Sequence, residues 1–96
     1  MPRRLFFVYI MASATRGALY VGVTNSLKRR VAQHLAGSPG SFTHRYNVNR
    51  LVWYESHTTP IEAIRREKQL KAGPRRRKLA LITAANPRWL DLPDHI

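Results

Sequence analysis

Two apolar runs lie only five residues apart, and that spacing constrains this chain more than any other feature in it. Residues 5–12 (LFFVYIMA) and 18–23 (ALYVGV) are short, β-prone segments, and the stretch between them, SATRG, is rich in small residues and closes on Gly17. A link that short joins neighbouring strands as an antiparallel hairpin, since a parallel crossover needs a dozen or more residues. The hairpin brings Tyr9 of the first run towards Tyr20 of the second.

The next segment adds a guanidinium. Thr24, Asn25 and Ser26 supply capping side chains for a helix over residues 27–35, with an apolar stripe of Leu27, Val31 and Leu35. Arg30 falls ten residues after Tyr20, on a helix that crosses back over the hairpin. Arg30 and His34 flank the stripe, four residues apart, so they can face one substrate together. A phenol can take a proton from water, and a guanidinium can hold a phosphate.

Beyond this unit, residues 37–49 read as a loop and 51–55 as a third strand carrying Trp53 and Tyr54. Pro60 opens a second helix to about residue 71, stopped by Gly73-Pro74. A third runs from about 74 to 85 and ends at Asn86-Pro87, with Trp89 and Leu90 of the tail packing back. The predicted fold is a small α/β (α+β) sandwich: a three-stranded, mainly antiparallel sheet with helices on its faces, in the order β-β-α-β-α-α. At 96 residues the chain is read as one domain, with its core over about 5–85 and a tail over 86–96.

Charge points to the partner. Seventeen Lys and Arg against five acidic residues give a net +12, which favours a polyanion. The excess concentrates at Lys28–Arg30 and again at Arg75, Arg76, Arg77 and Lys78, and patches favour nucleic acid over a merely solvated surface. The second cluster opens a helix, where basic charge opposes the macrodipole, so a phosphate-backbone role explains it better than local stability does. No segment has the 18 or more consecutive apolar residues that span a bilayer, so no membrane role is expected. There is no Cys, which excludes disulfides and thiolate zinc sites and suits a reducing compartment. The first residues, MPRRLFFVYIMASA, mimic a secretory leader, but the apolar run is read as a strand. A cytoplasmic protein is expected, nucleoid-associated if it binds DNA constantly.

Phosphodiester hydrolysis needs an activated water, charge relief on the phosphoryl oxygens and help for the leaving oxygen. The acids are Glu55, Glu62, Glu67, Asp91 and Asp94. Glu67 lies four after Ala63 and three before Leu70, on the inward stripe of the second helix, whereas Glu62 reads as the surface ion-pair partner of Arg66. An inward carboxylate can be simply salt-bridged to a neighbouring Arg, or it can hold a divalent ion with waters and phosphate completing the shell. A strand tyrosine is ordinarily a core residue with a satisfied hydroxyl, and a base role needs its pKa lowered from about 10.

VYI at 8–10, LYVGVTN at 19–25, LKRRVAQH at 27–34, EAIRREKQLK at 62–71, LALI at 79–82 and NPRWLDL at 86–92 together resemble the GIY-YIG nuclease family. The ordered set looks most like its small stand-alone bacterial branch, related to the nuclease domain of the repair-incision enzymes. The resemblance implies Tyr9 and Tyr20 as base or water-positioning groups, Arg30 as the clamp on the scissile phosphate, and Glu67 as ligand of one Mg²⁺ or Mn²⁺. His34 matches a histidine of that branch that can contact phosphate or assist proton transfer. Lys28 and Arg29 are read as generic phosphate contacts, and Phe42, His44, Arg45 and Tyr46 as a loop that either stacks on an unpaired strand or is anchored by its own aromatics. Gly22 is read as a site of close backbone approach, and Asn86 as a helix stop.

The first triplet departs from the family name at Val8 and the second at Val21, and both tyrosines are kept. Val23 stands where the repair-incision relatives carry Lys. The added modules that give homing and restriction relatives their specificity are not seen, so weak sequence specificity is expected, or a protein partner that supplies it. The leading reading is a metal-dependent DNA endonuclease or nickase acting in repair or recombination. The alternative is a non-catalytic basic nucleic-acid-binding module working through a partner. A basic interaction protein of the ribosome or a membrane surface needs none of Tyr9, Tyr20, Arg30 and Glu67, and is the weakest of the three.

Overall fold

The computed structural model describes residues 4–15, 17–36 and 47–92. Strand β1 (Phe6–Ala12) is the middle of a three-stranded sheet ordered β2-β1-β3, antiparallel to β2 (Leu19–Thr24) on one side and to β3 (Arg50–His57) on the other. A central strand covered on both faces must be apolar throughout, and Phe7 to Ala12 are all buried. The turn behaves as its small residues require. Ser13 Oγ accepts from the Ala18 amide at 3.0 Å, and the Gly17 amide donates to the Ala14 carbonyl at 2.9 Å.

Alternation along β1 sorts the side chains into two cores. Phe7, Tyr9 and Met11 face helix α1 (Leu27–Ala36) and pack with Leu27, Val31, Val48 and Leu51. Val8, Ile10 and Ala12 face helices α2 (Pro60–Ala72) and α3 (Arg75–Ala85) and pack with Ala63, Leu70, Ile82 and Trp89. Among the described residues the order is β-β-α-β-α-α, as predicted. The ends of α2 are built as the sequence suggests: Thr59 caps its first turn by accepting from the Glu62 amide at 3.3 Å, Pro60 opens it, and the Gly73 amide closes it on the Gln69 carbonyl.

Two predicted contacts of the helices differ. Leu35 is 61% exposed and leaves the apolar stripe. It lies eight residues after Leu27, about 80° round the helix, whereas His34 lies about 20° from Leu27 and takes the inward position. Arg66 pairs not with Glu62 but with Glu55 of β3, Nε to Oε2 at 3.2 Å. It lies on the sheet-facing side of α2, and Glu55 also meets His57 Nε2 at 2.6 Å.

The tail seals one edge of the sheet. Asn86 is buried and holds three main-chain groups: Nδ2 donates to the Val52 and Leu90 carbonyls at 3.1 and 2.8 Å, and Oδ1 accepts from the Leu90 amide at 3.1 Å. Leu51 of β3 donates its amide to Asp91 Oδ1 at 2.9 Å, and its carbonyl accepts from the Leu92 amide at 2.8 Å. Trp89 packs back as expected and is buried, whereas Leu90 is 55% exposed. Strand β2 forms the other edge, with no strand beyond it among the described residues. None of the described helices is long and apolar enough to cross a membrane.

Candidate functional site

The pairing register puts Tyr9 opposite Gly22, and this pair builds the site. A methyl carbon on Gly22 would lie 2.5 Å from Tyr9 Cζ, so only hydrogen at position 22 leaves room for the buried phenol of Tyr9 over β2. What approaches Gly22 is thus a side chain rather than the backbone expected from the sequence. The tyrosine that closes the family's first name-giving triplet is this one, so that triplet falls on Phe7-Val8-Tyr9, one residue earlier than 8–10. Phe7 at its head is a buried core residue, edge-on to Tyr54.

Helix α1 delivers two groups to the Tyr9 hydroxyl. Its first turn is fixed by Ser26 Oγ, which accepts from the Arg29 amide at 3.3 Å. One turn on, Arg30 Nε donates to Tyr9 Oη at 3.1 Å, and His34 Nε2 lies 2.9 Å from the same oxygen. That hydroxyl can accept from Arg30 and donate to His34 Nε2 in the tautomer whose proton sits on Nδ1. Burial, with the positive charge of Arg30 second, holds the imidazole below its ordinary pKa and keeps it neutral. The three groups form one hydrogen-bonded chain of guanidinium, phenol and imidazole.

Tyr20 completes an aromatic cluster, its ring 4.8 Å from that of His34 and 6.3 Å from that of Tyr9. Hydrogen bonds to Tyr9 and Tyr20 raise the pKa of Arg30, so its charge is permanent. The Tyr9 phenol is pushed up to about 12, chiefly by burial; the Arg30 hydrogen bond works against this, while the charges of Tyr20 and Glu67 add to it. Tyr9 therefore keeps its proton at neutral pH. The lowered pKa that a free-standing base needs is not what this surrounding gives it.

Glu67 approaches from α2. Its side chain is 16% exposed and its charge is felt at the Tyr9 phenol. Its counter-ion is Lys71, one turn on, at 3.8 Å, rather than an arginine. Among the described residues no three His, Cys, Asp or Glu cluster as a metal cage. The donor set is thus one half-buried carboxylate beside an exchangeable ammonium. That fits a Mg²⁺-like ion, which binds through one or two carboxylates and takes its other ligands from waters and phosphate.

The remaining expectations divide. Lys28 and Arg29 are exposed on the outer side of α1, where Arg29 Nη2 donates to Asn25 Oδ1 at 2.7 Å. Arg75, Arg76 and Arg77 are exposed at the start of α3; Arg75 donates to the Gly17 carbonyl, and Lys78 Nζ donates to the Gly73 carbonyl at 3.1 Å. Phe42, His44, Arg45 and Tyr46 lie outside the described residues. Asn86 staples the tail, in keeping with a structural reading. The sequence reading passed over two groups: Gln33, whose Oε1 accepts from Arg30 Nη1 at 3.1 Å, and Lys71. Their spacings, i+3 from Arg30 and i+4 from Glu67, were the available signal.

Known proteins share this architecture. The GIY-YIG catalytic domain matches residues 5–80. A UPF0213 protein of Staphylococcus epidermidis is 36% identical over 76 residues, covering 79% of this chain and 92% of that protein, and UPF0213 proteins of Staphylococcus aureus match over the same shares. The solution NMR structure of a UPF0213 protein from Bacillus halodurans superposes with a TM-score of 0.52 at 30% identity, covering 83% of this chain and 84% of that one. With a catalytic-domain match over most of its length and these relatives beside it, the chain belongs to the GIY-YIG nuclease-domain family, among its small UPF0213 members.

Proposed function

We propose that the chain is a metal-dependent DNA endonuclease or nickase that hydrolyses phosphodiester bonds with weak sequence specificity, in repair or recombination inside the cell. The observation that carries this reading is the convergence of Arg30, Tyr9 and His34 on one hydroxyl oxygen over Gly22 of the edge strand β2. The nuclease class follows from the family, and nucleic acid is the substrate that class implies.

In this reading Arg30 grips a non-bridging oxygen of the scissile phosphate and stabilises charge as it builds there. Tyr9 orients the attacking water through its hydroxyl. It passes its own proton to His34 Nε2 as it takes one from the water, so the neutral imidazole is the final acceptor and no free phenolate is needed. Tyr20 packs the imidazole in place and borders the phosphate. Glu67 holds the divalent ion, Mg²⁺ or Mn²⁺, which when bound supplies Lewis-acid relief of phosphoryl charge. Lys28, Arg29 and Arg75 to Lys78 carry the flanking backbone.

The test is cleavage of labelled nicked, flap, branched, duplex and single-stranded DNA with Mg²⁺ or Mn²⁺. Wild type is expected to cut at least one of them. Glu67→Ala and Arg30→Ala are expected to lose on the order of 100-fold or more in rate, with Glu67→Ala retaining DNA binding. Salt-sensitive binding without cleavage by wild type would replace this reading with the non-catalytic binding module.

A further inference from the structure

The alternation of β2 places Tyr20 and Gly22 on the side of α1, and Leu19 and Val21 on the side of α2 and α3. Because β2 is an edge strand, the two sides meet along its open rim. There Leu19, Tyr20, Val21, Lys71 and Lys78 line a shallow, open groove of about 330 Å³. Its lining is largely apolar, with Leu19 and Val21 from β2 and one lysine from each helix, Lys71 of α2 and Lys78 of α3. Tyr20 belongs to both the groove and the aromatic cluster of the candidate site, so the two are one continuous surface.

We propose that this groove is the subsite for the nucleotide adjoining the scissile phosphate. In it the sugar and base lie against Leu19 and Val21, and the next phosphate is held between Lys71 and Lys78. The inference rests on the nucleic-acid reading above and adds a path: the strand bends round the rim of β2 from Arg30 towards the start of α3. The occupant is fixed by complementarity. An apolar floor with a lysine from each helix matches the alternation of base or sugar with phosphate. Lys71 is free to serve, its side chain being 53% exposed and its pairing with Glu67 long at 3.8 Å. Lys78 is anchored by the Gly73 carbonyl and keeps protons to donate. The basic run at the start of α3 thereby gains a reason that its opposition to the helix dipole denied it.

The test is a titration of the isotope-labelled chain with short oligothymidine, free of divalent ions, read by amide NMR shifts. Shifts at Leu19, Val21, Lys71 and Lys78 that saturate together with those of Tyr20 and Arg30 are expected. The salt dependence of binding is expected to lose a slope of about 1 in Lys71→Gln/Lys78→Gln, for the one phosphate held between the two lysines. Lys71→Gln alone, which leaves the Gly73 contact in place, is expected to lose a fraction of that slope. The dispersion of the same spectra verifies that each variant is folded. Shifts confined to Tyr20, Arg30 and His34, with the slope unchanged in both variants, would overturn the subsite. Since no cleavage is read, a chain that binds here and cuts nothing keeps the subsite and loses the nuclease reading. A chain that cuts while the groove stays silent does the reverse.

Discussion

A methyl group at position 22 would occupy the space of the Tyr9 phenol, 2.5 Å from Cζ. Gly22→Ala must therefore drive the ring off Arg30 and His34, and overpacking of this kind costs about 1–3 kcal/mol. Urea unfolding is expected to show that loss in the wild-type background and only a small fraction of it in Tyr9→Ala, where the colliding ring is gone; equal losses in both would show that the clash is not the cause. His34 gives a pH signature. Its folded pKa lies below the ordinary 6.5, so the folded chain binds fewer protons here than the unfolded one. The contribution is complete above the unfolded value and fades as pH falls through the folded one. The stability advantage of wild type over His34→Gln is expected to be larger at about pH 7.5 than at about pH 5, measured by urea midpoints; a constant advantage would contradict a histidine buried neutral. The meeting of Tyr9, Tyr20 and Arg30 was legible in the sequence, because strand spacing and helix phase fix it. The choice of His34 over Leu35 as the inward residue was not, since simple hydrophobicity favours leucine while the 3.6-residue period favours the histidine.

Local punctuation fixes the elements well: Thr59-Pro60 and Gly73 bound α2 as they read. The docking of residues 86–92 on β3 was only partly readable, because it depends on long-range partners. Asn86 meets Val52, and Asp91 meets Leu51, across more than thirty residues of chain. A buried asparagine that satisfies three main-chain groups is costly to remove, so Asn86→Ala is expected to lower stability by about 2–3 kcal/mol. Leu90→Ser, at a side chain 55% exposed, is expected to change it by less than about 0.5 kcal/mol. Thermal melts of the two variants side by side check this, and comparable losses would mean that the tail is held by its apolar contacts instead. The Arg66 pairing failed to follow the i,i+4 rule for a related reason: a half-buried arginine facing a strand takes the carboxylate on that strand.

For the molecule as a whole, the three-layer plan was legible from the order of apolar runs, because a fully apolar central strand needs cover on both faces. The placement of charge was not legible: composition gives +12 but not which lysines share a groove with Tyr20. The layering also has a kinetic side. Tyr9, Tyr20, Arg30 and His34 all come from a hairpin and the helix that follows it, within the first 36 residues, so short chain closures bring them together, and such local contacts form fast. Glu67 comes later in the chain, carried by a helix that settles only when Ala63 and Leu70 find the opposite face of the sheet. On the proposed roles, the residues that would clamp a phosphate are thus local in sequence, and the carboxylate joins them from a later element. A chain whose second helix has loosened would, on the proposed chemistry, still hold nucleic acid while being unable to harm it.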